Sequence, residues 1–433
     1  MKLIYKSAKR HGLSGPRFIL GDTDWHQRAQ DTVVALRKNK TSLANDLAED
    51  ITVLLARTHR VETFRECHER IIGRLERLCN KAQALLLPKI VVGVTGANGG
   101  IGKETLLHAA QSVFVKKVIG LVRISGRGPA AGNVMDLTDR WQLDRLNICK
   151  AAIEIRTYED LEDTPAVHEP VDVFIHTVGQ GRKPVPLNPD TLKPIAPPPT
   201  RQELLAHNQS VLKDVVDYTH RACPGALHIF VTNPIGHRLM QVVLEKGVPP
   251  EKILGFGGEL DSARFRHFIR QALEAEGHCV LDVRAQVIGE HNDNMIPLQS
   301  SDVTFDSGVT LPLERCLAEG ILSAQSVQKI IKRTIGRGME IVDSQGTSAV
   351  RAPARGLVVM LEKLLRGEVV NGLSYRPFRH GKLSFVGGPV RLKNGLALVP
   401  EPFDKHSSLT PSEKACWLKS MQASCINACH SHS

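Results

Sequence analysis

Apolar and polar residues follow two different patterns along the chain, and the change falls at Pro88. Before it, apolar residues recur at helical spacing over 25–87, which is typical of two or three helices. The stripe on the last of them repeats every seven residues, at Phe64, Ile71, Leu78 and Leu85. It is shorter than four heptads, so it favours a helix packed on a neighbouring body over a free coiled coil. We predict a helical extension over residues 1–88.

After Pro88, short β-branched runs alternate with helical stretches, as in the βαβ units of a parallel sheet. The runs lie at 90–94, 118–122, 171–177 and 229–232. Beyond Gly255 the pattern changes to a helix over 260–276, strands around 280–287 and 303–305, and a helix from Ser323. The predicted fold class is α/β, with a Rossmann-type doubly wound parallel sheet over 89–234 and an α+β catalytic domain over 235–433.

Composition points to two further features, a basic N-terminal extension and a proline-rich loop. The chain of 433 residues carries a net charge of +11, and residues 1–88 hold 16 Lys and Arg against 10 Asp and Glu. That extension has no interleaved aromatic residues and no zinc pattern, so it favours a solvated helix face over a nucleic-acid site. Seven of the 24 prolines lie between Pro184 and Pro199. They exclude helix and central strand, and predict a long surface loop.

Cysteine usage and the ends of the chain bear on location. The nine cysteines include no C-x-x-C pair, which indicates free thiols in a reducing compartment and hence the cytoplasm. Residues 1–21 hold five basic and no acidic residues, which leaves organellar import as the lesser alternative. No apolar run reaches the length of a spanning helix. A tail cluster offers soft ligands, at Cys425, Cys429, His430 and His432, but without a second cluster we expect no structural metal.

A glycine-rich turn stands between the strand at 90–94 and a helix. Its sequence runs Thr95-Gly96-Ala97-Asn98-Gly99-Gly100-Ile101-Gly102. Such a turn lets a pyrophosphate approach the backbone and places it on the N–H groups that open the helix. A glycine-rich turn alone is weak evidence, but the strand before it and the helix after it favour dinucleotide binding.

The second βα unit ends without the acid that usually holds the adenosine ribose. It reads Leu121-Val122-Arg123-Ile124-Ser125-Gly126-Arg127. The two arginines with Ser125 could hold a 2′-phosphate, because a guanidinium pairs with phosphate oxygens in a bidentate way. The alternative is that Arg123 is a solvated residue at the end of a strand. NADP is favoured over NAD on this ground.

Three further strings carry polar groups that a catalytic cleft could use. They are Leu260-Asp261-Ser262-Ala263-Arg264, Ile288-Gly289-Glu290-His291-Asn292 and Val231-Thr232-Asn233-Pro234. Taken one at a time, Asp261 could be a helix cap, His291 a turn histidine and Asn233 a turn former before proline. Together with the glycine-rich turn, and in this order, the strings resemble the lactate and malate dehydrogenase family. The resemblance runs over residues 89–424 and includes Gly346-Thr347-Ser348, Val386-Gly387-Gly388-Pro389-Val390 and Leu409-Thr410-Pro411-Ser412-Glu413.

The resemblance implies a role for each of these residues. His291 would be the proton donor and acceptor, and Asp261 would orient it and favour the imidazolium. A hydride that leaves a carbinol carbon requires the hydroxyl proton to leave too, and imidazole titrates near working pH. Arg264 would hold the substrate carboxylate, and Asn233 would contact the substrate oxygen. The cofactor contacts implied are Gly96, Asn98, Gly99, Gly100, Ile101, Gly102, Arg123, Asn208, Val231 and Asn233.

Substrate choice in that family depends on a loop that here reads Gly179-Gln180-Gly181-Arg182-Lys183-Pro184. The loop is close to the malate-type Pro-Arg-Lys-Pro string, and Arg182 could neutralise a second carboxylate, so it indicates oxaloacetate and malate. The family's second loop arginine matches Arg201, which would polarise the carbonyl on closure. The expected activity is that of a malate dehydrogenase acting on a small dicarboxylate in carboxylic acid metabolism such as the tricarboxylic acid cycle, in a homo-oligomer.

The chain also departs from the family's pattern. Eighteen residues separate Arg182 from Arg201, where the family has a handful, so the lid over the site is enlarged. Asn292 follows His291 in place of the usual glycine, and the extension 1–88 is foreign to the family core. Two alternatives therefore stay open. One is a lactate or other 2-hydroxy-acid dehydrogenase of the same fold, and the other is a non-catalytic paralogue that acts as a binding scaffold.

Overall fold

The computed structural model describes residues 89–143, 151–163, 169–181, 190, 200–393, 396–403 and 409–426, with a few positions between 33 and 52. Those few positions, at 33–34, 37, 45 and 48–52, have helical backbone. The residues of the seven-residue stripe lie outside the described part. The helical extension as a whole therefore stays a prediction.

From Lys89 onward, the described residues form strands and helices in alternation. The strands are β1 (Ile90–Thr95), β2 (Val115–Val122), β3 (Ala152–Thr157), β4 (Val173–His176), β5 (Leu227–Phe230), β6 (Ile253–Gly255), β7 (Val280–Arg284), β8 (Val287–Gly289), β9 (Met295–Pro297), β10 (Asp302–Phe305), β11 (Thr310–Pro312), β12 (Val370–Pro377), β13 (Leu383–Lys393), β14 (Ala397–Pro400) and β15 (Cys425–Ile426). The helices are α1 (Gly100–Ala110), α2 (Arg127–Leu143), α3 (Tyr158–Asp163), α4 (Arg201–Ala222), α5 (His237–Glu245), α6 (Gly258–Ala275), α7 (Leu313–Ala318), α8 (Ala324–Gln345), α9 (Arg351–Leu365) and α10 (Pro411–Ala423).

The chain divides into two compact units. The larger consists of Ile90–Phe268, Ala285–Leu298 and Gln328–Ser433. The smaller consists of Met1–Lys89, Ile269–Arg284 and Gln299–Val327. Neither boundary falls at residue 234, where the sequence pattern places the end of the nucleotide-binding domain, so that division of function stays a prediction.

The larger unit is built on one sheet. Its first six strands are parallel in the order β3-β2-β1-β4-β5-β6, which is the order of a doubly wound nucleotide-binding fold. The predicted Rossmann-type sheet is thereby confirmed. The sheet then continues with antiparallel strands in the order β12-β13-β8-β9, joined to β6 by the pair of Leu373 with Gly255. The central strands β1, β4 and β5 are buried along their whole length, as expected where helices cover both faces of a parallel sheet.

The smaller unit contains a separate sheet in the order β11-β10-β7. Its strands are antiparallel, and Thr304 and Thr310 face each other with their hydroxyl oxygens 3.0 Å apart. The apolar run at 280–287 is thus divided: β7 belongs to this sheet, whereas β8 belongs to the large one. The division matters because β8 leads directly to His291.

Among the helices of the described residues, none combines the length and the apolar character that crossing a membrane would require.

Candidate active site

The turn between β1 and α1 has the geometry of a phosphate cradle. Gly96 adopts a φ of +70°, and a Cβ there would stand 2.9 Å from the amide nitrogen of Val178. A Cβ on Gly102 would stand 2.2 Å from the carbonyl oxygen of Gly96. A Cβ at either position would collide with the chain's own backbone, so glycine is what allows this tight turn between β1 and α1. Because α1 begins here with no acidic residue in its first turn, its N–H groups favour an anion.

Two polar side chains hold this turn. Asn98 donates from its side-chain nitrogen to the carbonyl oxygen of Gly126 at 2.7 Å, which ties the turn to the segment after β2. Its side-chain oxygen is buried without a hydrogen-bond partner in the described structure. The hydroxyl of Tyr158 accepts from the Gly96 amide at 3.2 Å, and burial raises the pKa of that phenol to about 12. The cradle and the free Asn98 oxygen fit a dinucleotide with its pyrophosphate on α1.

The segment after β2 carries exposed positive charge. Arg123, Ser125 and Arg127 are not buried, and Ile124 is 69% exposed. No acidic residue occurs over 123–135. Since Gly126 bonds to Asn98 of the turn, this basic segment borders the cradle on the side where an adenosine ribose lies in a doubly wound fold.

His291 and Asp261 meet although thirty positions separate them. Nδ1 of His291 lies 2.5 Å from Oδ2 of Asp261, and the Asp261 side chain is only 2% exposed. Asp261 stands in the first turn of α6, and His291 in the turn between β8 and β9. The carboxylate fixes the ring tautomer and leaves Nε2 as the nitrogen for proton transfer, as in other carboxylate–histidine pairs.

Arg264 completes this group from the same helix. Its Nη1 lies 3.2 Å from Oδ1 of Asp261, one turn earlier on the same face. The Arg264 side chain is 14% exposed. Burial lowers its pKa, and the Asp261 carboxylate opposes that shift. A guanidinium that is partly buried and still charged at neutral pH is suited to bind a substrate carboxylate in a bidentate way.

The departure at Asn292 is accommodated by a turn. Its side-chain oxygen accepts from the Asn294 amide at 2.7 Å, and its carbonyl oxygen accepts from Met295 at 3.1 Å. Asn292 does not have a positive φ. An asparagine can therefore replace glycine after His291 because its side chain closes the turn.

Asn208 and Asn233 belong to one bonded group at the carboxyl ends of β4 and β5. The fully buried Asn208 amide accepts from Gln180 N at 2.7 Å and donates to Gln180 O at 3.0 Å and to Asn233 O at 2.5 Å. Asn233 itself is exposed, and its peptide bond to Pro234 is cis. Asn208 thus holds the substrate loop to the Asn233 segment, and its direct contact with a cofactor stays a prediction. Val231 lies just beyond β5 and packs against the core.

The two loop arginines are less fully placed. Arg182 lies outside the described residues. Arg201 is the first residue of α4 and directly follows Thr200, the N-cap residue that forms a capping box with Glu203. The side chain of Arg201 lies outside the described part. Of the tail cluster, Cys425 lies in β15 and stands opposite Ser384 of β13 in the sheet. Cys429, His430 and His432 lie outside the described residues. No cluster of three or more metal-ligating side chains occurs among the described residues.

Sequence reasoning missed the residues that support the site. Gly257 is one: its missing side chain makes room for the His291 ring, and the pair Gly257-Gly258 at the start of α6 was the available signal. Tyr158 and Asn371 are others. Tyr158 begins α3 and contacts the Gly96 amide, whereas Asn371 lies in β12 and contacts α6 and β8. Both reach the site from segments that are distant in sequence, so no local pattern identifies them.

Comparison with known proteins agrees with this geometry. The family model described as lactate/malate dehydrogenase, alpha/beta C-terminal domain, matches residues 258–414. Malate dehydrogenase of Bacillus cytotoxicus is 34% identical over 316 residues, which cover 72% of this chain and 89% of that protein.

Solved structures agree as well. Cryptosporidium parvum malate dehydrogenase aligns with a TM-score of 0.60 and 28% identity, over 78% of this chain and 97% of that one. The lactate dehydrogenase of the same organism, solved with lactic acid and β-nicotinamide adenine dinucleotide, aligns with a TM-score of 0.59 at 24% identity, over 78% and 96% of the two chains. At that identity the second likeness concerns the fold. The chain belongs to the lactate/malate dehydrogenase family of oxidoreductases.

Proposed function

We propose that the protein catalyses the reversible interconversion of oxaloacetate and malate with a nicotinamide dinucleotide. The observation that carries the proposal is the group formed by His291, Asp261 and Arg264, in which one buried carboxylate contacts the imidazole ring at 2.5 Å and the guanidinium at 3.2 Å. A histidine oriented by a carboxylate, next to an arginine able to bind a carboxylate, is what a 2-hydroxy acid requires.

Each residue has a distinct task in the reaction. When bound, the nicotinamide ring supplies a hydride to the substrate carbonyl carbon or accepts it in the reverse direction. Arg264 binds the carboxylate beside that carbon and orients the carbonyl. His291 donates the proton from Nε2 to the carbonyl oxygen during reduction and takes it back during oxidation. Asp261 stabilises the charged ring in both directions.

The preference for a dicarboxylate is supported by Arg182 and by the malate dehydrogenases among the relatives. A second carboxylate in a site that excludes water needs a cation opposite it, which Arg182 supplies in the proposed complex. A lactate-type enzyme would be expected to have an uncharged residue at that position.

For the adenosine end we propose NADPH as the preferred form. The proposal is supported by the exposed Arg123 and by the absence of an acid over 123–135, since an acid there would repel a 2′-phosphate. The Cryptosporidium lactate dehydrogenase was solved with β-nicotinamide adenine dinucleotide. NADH is therefore the competing outcome of the test.

The test is a four-way assay of oxaloacetate and pyruvate, each with NADH and with NADPH, followed by nicotinamide absorbance. We expect kcat/KM to be higher for oxaloacetate than for pyruvate by at least about tenfold, because pyruvate has no second carboxylate to pair with Arg182. Higher activity with pyruvate would identify a lactate-type enzyme. No turnover in any arm, with no binding of either cofactor, would contradict the enzymatic proposal and favour a scaffold.

A further inference from the structure

Asn371 opens β12 next to Val370 and connects the two elements that carry the catalytic pair. Its side-chain nitrogen donates to the carbonyl oxygen of Val287 in β8 and lies 3.3 Å from Oγ of Ser262 in α6. The Val287 amide donates to the same Ser262 oxygen at 2.9 Å. Three hydrogen bonds thus form a closed ring between the beginning of α6 and β8.

The side-chain N–H of Asn371 is needed because, among the described residues, no neighbouring strand donates an N–H to the carbonyl oxygen of Val287. The Leu298 amide donates to Gln286 O at 2.9 Å, so in an antiparallel pair the polar groups of the next residue, Val287, point away from β9. On that other side β13 pairs with β8 at Gly387 and Gly289. The same register, continued by two residues, places Val287 opposite Pro389, which has no N–H.

A second contact fixes Asn371 to the same helix. Its backbone amide donates to Oε1 of Glu259 at 2.9 Å, and Oε2 of Glu259 lies 2.9 Å from Nζ of Lys363. Glu259 and Ser262 stand on either side of Asp261 in the sequence of α6. Asn371 is therefore bonded on both sides of the residue whose carboxylate meets His291.

The position of β8 determines where His291 lies. Val287 precedes His291 by four residues, and His291 lies in the short turn that joins β8 to β9. A shift of β8 relative to α6 would move the ring away from Asp261. A hydrogen bond of 2.5 Å between Nδ1 and Oδ2 leaves little tolerance, since productive geometry is lost within about 0.5 Å.

We propose that Asn371 is a positioning residue, which holds α6 and β8 at the separation at which His291 Nδ1 bonds to Asp261 Oδ2. Its effect on the rate rests on the proposed dehydrogenase function, whereas its effect on the hydrogen bond does not. Asn371 itself need not touch the substrate. It acts through the backbone of β8 and the first turn of α6.

The test compares variants of the hydrogen-bonded group Asn371, Ser262 and Val287 with a matched control. Asn371→Asp keeps the shape but removes both N–H donors and sets a charge against the Val287 carbonyl. Ser262→Ala removes the shared acceptor and is the milder change, so it decides the matter where Asn371→Asp does not fold. The control is Ser384→Ala: the Ser384 hydroxyl is buried and donates to Met421 O at 2.8 Å, which joins β13 to α10 away from the ring.

Two measurements are made on each full-length variant. The first is kcat and KM, with cofactor affinity from fluorescence titration. The second is the low-field proton resonance of the hydrogen bond between Nδ1 and the carboxylate, assigned by its loss in His291→Asn. We expect kcat to fall roughly tenfold or more in Asn371→Asp, with cofactor affinity unchanged and the resonance broadened or lost. Ser262→Ala should follow in the same direction, and Ser384→Ala should keep both.

The positioning role would be overturned if kcat and the resonance were unchanged in both Asn371→Asp and Ser262→Ala. Equal losses in Ser384→Ala would overturn it as well. A wild-type protein without turnover in any arm of the four-way assay contradicts the proposed function. If its resonance still disappears in Asn371→Asp and persists in Ser384→Ala, the positioning role stands by itself.

Discussion

Gly257 lies against the ring of His291, so that a Cβ at position 257 would stand 2.7 Å from Cγ and 2.9 Å from Nδ1 of the imidazole. Its carbonyl oxygen also accepts from the Asp261 amide at 2.9 Å. One residue without a side chain therefore contacts both members of the catalytic pair. The ring can approach the carboxylate because nothing stands between the backbone before α6 and the β8–β9 turn.

Gly257→Ala should displace the His291 ring and lower kcat by about ten- to a hundredfold, because a shift of ~1 Å at a reacting group has an effect of that order. The overpacking should also lower the free energy of unfolding by about 1–3 kcal/mol. Steady-state kinetics and urea unfolding measure the two effects. Gly132→Ala is the control: it lies inside α2 with open space around its Cβ, so the helix should be stabilised by about 0.5–1 kcal/mol with kcat unchanged. A Gly257→Ala enzyme with wild-type kcat would contradict the expectation that a side chain at position 257 displaces the His291 imidazole.

His291→Asn should lower kcat by about 10²- to 10⁴-fold, the usual contribution of a positioned acid–base group. Cofactor binding should persist, since the glycine turn at 96–102 does not depend on this ring. Stopped-flow kinetics measures the loss, and fluorescence titration with the reduced cofactor is the control. An active His291→Asn enzyme would remove His291 from the proton-transfer role.

Local patterns were sufficient to predict most of the nucleotide-binding part, although its edge strand β3 was not predicted. The strand at 90–94, the turn at 96–102 and the helix after it are adjacent in sequence, and each residue type suits its own backbone there. The βαβ connectivity predicts a parallel sheet, whereas the order of its strands is a finding of the structure. The continuation through β12 and β13 was not predicted, because Gly387, Gly388 and Pro389 interrupt the alternation that identifies a strand.

The candidate site divides in the same way. His291, Asp261 and Arg264 could be named because each lies in a short string that the family shares. Their meeting could not be derived from the spacing, and the resemblance supplied it. Asn371 lies 109 positions from Ser262, and its importance depends on a missing N–H at Pro389 in a third strand. A relation among three distant segments leaves no periodic signal in the chain.

Arg182→Gln should shift preference toward pyruvate, because it removes the cation proposed to neutralise the second carboxylate of oxaloacetate. We expect the ratio of kcat/KM for oxaloacetate to that for pyruvate to fall by about tenfold or more. Lys183→Gln, the next residue, is the matched control for loss of one charge from the same loop. If the ratio does not change in Arg182→Gln, substrate choice depends on other residues.

Two histidines lie inside the parallel sheet, where a charge would be costly. Nε2 of His176 in β4 lies 2.9 Å from Nδ1 of His228 in β5, and both residues are fully buried. Their rings stack, with centroids 5.2 Å apart. Burial lowers the pKa of His176 to about 3, and burial together with the neighbouring His176 holds the pKa of His228 well below its ordinary value. Both rings are therefore neutral in the folded protein.

This pair should make the fold sensitive to acid. In the unfolded chain each ring takes up a proton near its ordinary pKa of 6.5, whereas in the folded protein the pKa of His176 is about 3 and the pKa of His228 also lies well below its ordinary value. Between these values the unfolded state binds more protons, so stability falls as the pH is lowered. For His176 alone the loss from pH 7 to pH 5 amounts to about 2 kcal/mol.

The double variant His176→Leu, His228→Leu should lose less stability than the wild type over that interval. Urea unfolding at pH 5, 6, 7 and 8 measures the difference. Between pH 7 and 8 the folded rings are neutral and the unfolded rings are at most about a quarter protonated, so the pair contributes only a few tenths of a kcal/mol. The two proteins should therefore show nearly parallel pH dependence there, which serves as the internal control. An equal loss in the double variant between pH 7 and 5 would mean that other groups determine the acid sensitivity. A smaller loss would identify the neutral pair as its origin, because the two proteins differ in no other titratable group.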